Sequence, residues 1–144
     1  MPEHNGFTRE QVDAGRNLVD AQLSAFAALV DAVDSEAPDG TIETTVGDIE
    51  GGYFNTLAIA LDRVLGDVTR KGSRREESAL NEFELIVESL LTGTGVFRGN
   101  QSLGYVVAHS ATGLAEGDTI ALNADGFERL TDAVFGELEK KLAK

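Results

Sequence analysis

Apolar residues recur at three- and four-residue spacing over several stretches of the chain, and each such stretch predicts an amphipathic helix. The clearest runs from Ser73 to Gly95, where Leu80, Phe83, Ile86, Val87, Leu90 and Leu91 share one face. Glu82, Glu84 and Glu88 lie mostly off that face. Ser73 and Glu76 form an S-x-x-E capping box, in which hydroxyl and carboxylate each satisfy one orphan N–H at the helix start. Gly93 stands where a left-handed residue ends a helix. This element reads as scaffold.

A second capping box, Thr8 with Gln11, opens a longer helix to about Asp34. It carries two apolar seams. Val12, Val19, Leu23, Phe26, Val30 and Val33 form the first; Leu18, Ala21, Ala25, Leu29 and Ala32 form the second, spaced three, four, four and three. A helix of about 26 residues is about 39 Å long, and two seams make a face wider than one neighbour needs. Either the helix is simply amphipathic within a monomeric bundle, or one seam packs internally and the other meets a second copy. The second reading names Leu18, Ala21, Ala25, Leu29 and Ala32 as a homodimer interface, with the alanines permitting close approach.

Ala37-Pro38-Asp39-Gly40 predicts a turn. Residues 41–46 are β-branched and extended, a short strand or a spacer, and Gly47, Gly51 and Gly52 separate them from a helix over about Tyr53 to Leu65. Phe54, Leu57, Leu61, Val64 and Leu65 line one face of it, and Gly66 ends it. Residues 118–122 read as a second extended piece, paired with 41–46. Asp125 and Glu128 then predict the cap of a last helix that turns Phe127, Leu130, Val134, Leu138 and Leu142 inward, with Lys140, Lys141 and Lys144 at its negative end.

Between helices lies Thr94 to Gly117, with five of the sixteen glycines. Its apolar kernel, residues 103–108, suits a buried strand or a short helix; Leu103, Val106, Val107 and Ser110 on one face, with Asn100 as a cap, favour the helix. The pattern as a whole predicts one mainly α domain over residues 1–144: four or five helices, a Gly-rich irregular segment, a minor two-stranded element and a frayed tail at 1–7. The alternative is an α+β fold with a small sheet of 41–46, 103–109 and 119–122.

Charge narrows the function classes. The formal net charge is −13, and residues 1–50 alone carry eleven acids against two arginines. Such a field repels phosphate backbones, which argues against a nucleic-acid partner. The basic run Arg70-Lys71-Gly72-Ser73-Arg74-Arg75 then reads as a loop that neutralises acidic neighbours. An acidic mimic of nucleic acid requires the carboxylates of residues 1–50 to form one solvent-facing stripe. There is no cysteine, hence no disulfide framework, no apolar run of the roughly 20 residues that span a bilayer, and no signal-peptide pattern at the start. The expectation is a soluble cytoplasmic protein with no membrane partner.

Motifs for cofactors and metals fail on spacing. Gly93-x-Gly95-x-x-x-Gly99 is one residue too long for a dinucleotide fingerprint and follows a helix where that motif follows a strand. Asp34 to Gly40 places Pro38 at a calcium ligand position and its glycine one place late. Two histidines, His4 and His109, cannot build a paired Glu-x-x-His site. No cofactor and no metal are expected. His109-Ser110 is the one place where a base and a hydroxyl come together, but adjacent residues point in different directions, so a third group, Glu116 or Asp118, is needed to orient them. Arg98, in a glycine-flanked loop, suits a bound carboxylate or phosphate, but pairing with one of the chain's own 25 acids is the favoured reading.

Two expectations of function follow. The first is a non-enzymatic interaction or assembly module that self-associates through the first helix and engages another protein. The second is a small-molecule site or enzyme at 94–117 using Arg98, Tyr105, His109 and Ser110, with no catalytic residue assigned.

Overall fold

The computed structural model describes residues 8–36, 41–65, 79–92, 94–99 and 105–142. The expected tail at 1–7, the Pro38–Gly40 turn, the stop at Gly66, the basic run at 70–75, the Ser73/Glu76 box, Gly93, Asn100 and Leu103 lie outside these residues. Four helices form the described part: α1 (Arg9–Glu36), α2 (Thr41–Val64), α3 (Ala79–Leu91) and α4 (Ala124–Leu142). The protein is a mainly α, four-helix packed bundle, and no strand occurs among the described residues.

α1 starts as its sequence predicts. The Gln11 N–H donates to Thr8 Oγ1 at 3.1 Å, and the Thr8 N–H donates back to Gln11 Oε1 at 2.9 Å. Its first seam faces the core, with Val12, Val19 and Phe26 buried and Leu23 and Val30 packed at the edge. α1 and α2 run antiparallel: Gly15 lies against Leu61 and Leu65, the Tyr53 hydroxyl donates to Gln22, and the Phe26 ring meets Tyr53 and Phe54 at 5.8 and 5.0 Å. A side chain at Gly15 would bring Cβ to 3.0 Å from Leu61, so this glycine sets how closely the two helices approach. On its other flank α1 is tied to α4 by a bidentate Arg9–Glu139 pair, both bonds 2.8 Å, and by Arg16 over the Phe135 ring at 4.6 Å. The pair holds the Glu139 carboxyl below the usual carboxylate range, chiefly through the Arg9 hydrogen bond.

α2 departs from the sequence reading. Residues 41–46 are not extended; they form its first turns, and Gly47, Gly51 and Gly52 lie inside the helix rather than before it. A β-branched residue costs a helix only a few tenths of a kcal/mol, and packing overrides that: Val46 lies against the core, in line with Tyr53 and Leu57. Gly51 is a close-approach position. A Cβ there would stand 3.0 Å from Ala121 Cβ and 3.2 Å from its Cα.

What crosses α2 at that point is the extended segment 118–122. Its partner is not 41–46 but the chain leaving α3: Val96 and Thr119 form an isolated antiparallel bridge. The Phe97 N–H donates to Asp118 O at 2.8 Å, Ile120 N–H to Gly95 O at 2.8 Å, and Gly117 N–H to Phe97 O at 3.0 Å. Gly95 and Gly117 take positive φ, 69° and 90°, where the chain turns into and out of this neck. Beyond the bridge, Asn55 of α2 stands in for a strand. Its Nδ2 donates to Ile120 O at 2.8 Å and its Oδ1 accepts from Leu122 N–H at 3.1 Å.

α4 begins two residues before the predicted cap. Asn123, not Asp125, is the N-cap, with its Oδ1 accepting from Gly126 N–H at 2.7 Å. Glu50 of α2 takes the Ala124 N–H at 2.8 Å. Phe127, Leu130, Val134 and Leu138 are buried as expected, and Phe135 joins them.

The helical course of α2 makes its glycines separable by substitution. Gly52 is exposed, with open space where a Cβ would stand, so Gly52→Ala should stabilise the fold by about 0.5–1 kcal/mol. Gly51→Ala should lose that gain, because the new methyl meets backbone at Ala121. Urea denaturation of both variants checks the pair; equal stabilisation would show that the segment does not lie against α2.

Candidate functional site

The segment between the neck residues is held to the bundle largely by side chains. At its centre is Glu82 on α3, only 3% exposed. Its Oε1 accepts the Ala111 N–H at 2.9 Å; its Oε2 accepts the Thr112 N–H at 3.0 Å and the Thr112 hydroxyl at 2.6 Å. A buried carboxylate is costly unless its oxygens are satisfied, and here three donors from one short stretch do so. On the opposite side, Arg129 of α4 donates from Nε to Ala111 O at 3.2 Å. Residue 111 is thus clamped through both its backbone groups, by one helix each.

Glu82 falls with Leu85 and Ser89, spaced three and four, on a second buried row of α3. The reading of Glu82 as off the apolar face is corrected by this row. The Leu85 spacing was its visible signal, since α3 is covered on two sides rather than one.

Residues 105–110 form neither the expected short helix nor a strand. Val106 is extended, and Val107–His109 make a single 3-10 turn. It is closed by His109 N–H to Val106 O at 3.0 Å and Ser110 N–H to Val107 O at 3.1 Å. Tyr105 lays its ring 5.0 Å from that of the buried Phe97 and donates its hydroxyl to Leu114 O at 2.5 Å. Burial pushes the Tyr105 hydroxyl above its ordinary range, with the Glu82 charge adding to the effect. It therefore remains a donor at neutral pH.

Tyr105, His109 and Ser110 come together around one open cleft of about 470 Å³, walled by Ala79 and Glu82 of α3, Ala133 of α4, Val106 and Ala111. Arg98 does not join them. It faces a second depression beside Glu84, Glu88 and Ser89, and its guanidinium lies 3.6 Å from Glu116.

The first cleft's hydroxyls are already committed. Ser110 Oγ donates to Val107 O at 2.8 Å and accepts from Gly113 N–H at 2.8 Å, the geometry of a serine turn rather than of an activated nucleophile. Glu116 and Asp118 are likewise spent on backbone, on Gly99 N–H at 2.7 Å and Ala115 N–H at 2.8 Å. No group of three or more His, Asp or Glu among the described residues is placed to hold a metal ion.

Apart from exposed Ile49, Leu91, Val106 and Val107, a further surface feature among the described residues is the second seam of α1. Ala21, Ala25, Leu29 and Ala32 are exposed and Leu18 is half-buried. Of the acids of residues 1–50, Glu10, Asp13, Asp20, Asp31 and Asp34 are exposed on α1; Asp13, Asp20 and Asp31 share one face of it, about 10 and 16 Å apart along the axis. That is far sparser than the charge of a duplex, and Glu50 is turned to the α4 cap.

The Glu82 clamp yields a direct expectation. Glu82→Gln replaces one acceptor oxygen with an amide donor that faces an N–H, and should cost about 1–3 kcal/mol in urea denaturation. The resonances of Ala111 and Thr112 should shift most. A variant as stable as the parent, with those resonances unmoved, would show that the carboxylate does not hold the loop.

No known protein family matches the chain, and neither a curated protein nor a solved structure is similar to it.

Proposed function

We propose that the protein is a non-enzymatic assembly module of helical-bundle type that pairs with a second copy of itself through the outer seam of α1. The observation that carries this reading is the contrast between two seams on one helix. The inner seam is packed against α2 and α4. The outer one is left to solvent at Ala21, Ala25, Leu29 and Ala32, with Leu18 half-buried, and Leu29 is 46% exposed. A lone exposed leucine needs no explanation; a periodic row on a helix of 28 residues does.

The cytoplasm is the proposed setting. No described helix is long and apolar enough to cross a membrane, and a net charge of −13 disfavours anionic lipid and nucleic acid as partners. The paired form would then present its remaining surface to another protein.

A second reading, small-molecule binding in the cleft, draws support from Tyr105, His109 and Ser110 sharing that cleft. Against it, two of the three spend their hydroxyl protons on backbone carbonyls. A fragment screen that moved no amide resonance among residues 79–82 and 105–111 would remove this reading.

Self-association predicts a weight-average mass that climbs with concentration from 15.3 kDa toward twice that value in sedimentation equilibrium. Leu29→Glu or Ala25→Glu should hold the protein at monomer mass while leaving stability within about 0.5 kcal/mol, since both positions are exposed. A parent protein that stays monomeric at millimolar concentration would end the proposal.

A further inference from the structure

The outer seam of α1 has a symmetry of its own. At about 100° per residue, Leu18, Ala21, Ala25, Leu29 and Ala32 fall within an arc of about 80°, roughly opposite the buried Val12. Read from either end, their spacing is the same: three, four, four, three. Ala25 is the midpoint. Side-chain size is not symmetric about it, and that asymmetry is informative. Turned end for end about Ala25, the strip sets large residues against small ones.

Resting on the self-association proposed above, we infer that two copies pair α1 against α1 in antiparallel fashion, with Ala25 on the two-fold axis. Leu18 then meets Ala32 of the partner subunit, Ala21 meets the partner's Leu29, and Ala25 meets Ala25 of the partner subunit. Because a two-fold contact is isologous, the Leu18–Ala32 and Ala21–Leu29 pairings each occur twice and the Ala25 contact once, on the axis. Alternating large and small residues lets helices interlock at the 8–10 Å separation of packed helices. A parallel arrangement would set leucine on leucine and alanine on alanine, leaving a bulge beside a gap.

Charge favours the same occupant. Two chains of −13 each repel unless the surfaces that meet are free of acid. Within residues 18–32 the acids, Asp20 and Asp31, lie more than about 100° from the centre of the strip, while Glu10 and Glu36 flank it at either end of the helix; Arg16 is turned to Phe135 of α4. A basic partner would seek the acids; a second copy needs the face without them.

The α1–α2 register places one further exposed apolar residue at the same height. Gly15 opposite Leu61 and Leu65, and Phe26 opposite Tyr53 and Phe54, set Leu29 level with Ile49, which is 56% exposed. A helix contact from 18 to 32 is about 21 Å long and, at a helix diameter of about 10–12 Å, covers about 250 Å² per copy. That falls short of the roughly 800 Å² of a standard interface, so the dimer belongs to the weak, concentration-dependent class.

The absence of cysteine makes the axis directly readable. A25C introduces a single exposed thiol that the two-fold brings face to face with its copy. Under mild oxidation at high concentration it should form a disulfide dimer at least about tenfold faster than A32C, whose two copies stand roughly 20 Å apart along the helices, beyond disulfide reach. A double variant, A21C with L29C, should also cross-link, and A21C alone should not. Sedimentation of the parent protein is run beside these. If it associates but A32C or A21C cross-links as readily as A25C, the antiparallel axis is wrong while self-association stands. An associating parent whose A25C variant stays uncross-linked overturns the axis equally. If the parent does not associate, both readings fall together.

Discussion

Backbone N–H groups in irregular chain must find acceptors, and the way this molecule meets that requirement shapes everything outside its helices. Between α3 and α4 the described residues have one isolated bridge and one 3-10 turn to offer. Carboxylates, amides and hydroxyls supply much of the rest. Glu82 takes residues 111 and 112, Glu116 takes Gly99, Asp118 takes Ala115, and Glu50 takes the first N–H of α4. Glu137 of α4 does the same for Leu80 near the start of α3. Part of the acid excess is therefore structural: these are acceptors used where a sheet would otherwise provide carbonyls.

This division explains what the sequence shows and what it conceals. Helical faces are written in local periodicity, so Val12, Val19 and Phe26, or Phe127, Leu130 and Val134, are legible without a structure. The Thr8–Gln11 box is equally local. Residues 41–46 misled because β-branching is a weak local bias and the packing of Val46 is not local. Gly51 misled for a similar reason. It reads as a breaker until Ala121, seventy positions away, is seen to need the space. The pairing of the 118–122 segment, with 95–97 and with Asn55, has no periodic signature.

The same reasoning applies to the candidate residues. Tyr105, His109 and Ser110 are near in sequence, and one turn suffices to bring them to one cleft. Arg98 is separated from them by the neck itself, and its direction was not legible because Glu116, on the returning limb of that neck, sets it. Glu82 could not be picked out among five acids of its helix region by type alone. Only its place in the row with Leu85 and Ser89 distinguishes it.

Asn55 has a consequence for how the molecule comes together. Its two bonds, with the Glu50 bond beside them, span sequence separations of 65, 67 and 74 residues. The first half of α2 holds three glycines, each a weak helix former by about 1 kcal/mol relative to alanine. That half-helix is poor in intrinsic stability, and beyond the bond from Ile120 N–H to Gly95 O the segment 120–124 takes its backbone partners from α2 and its own cap. The order of each is therefore bound to that of the other: a change that loosens the Asn55 bonds also removes the packing at Gly51 that offsets the weak helix formers beside it.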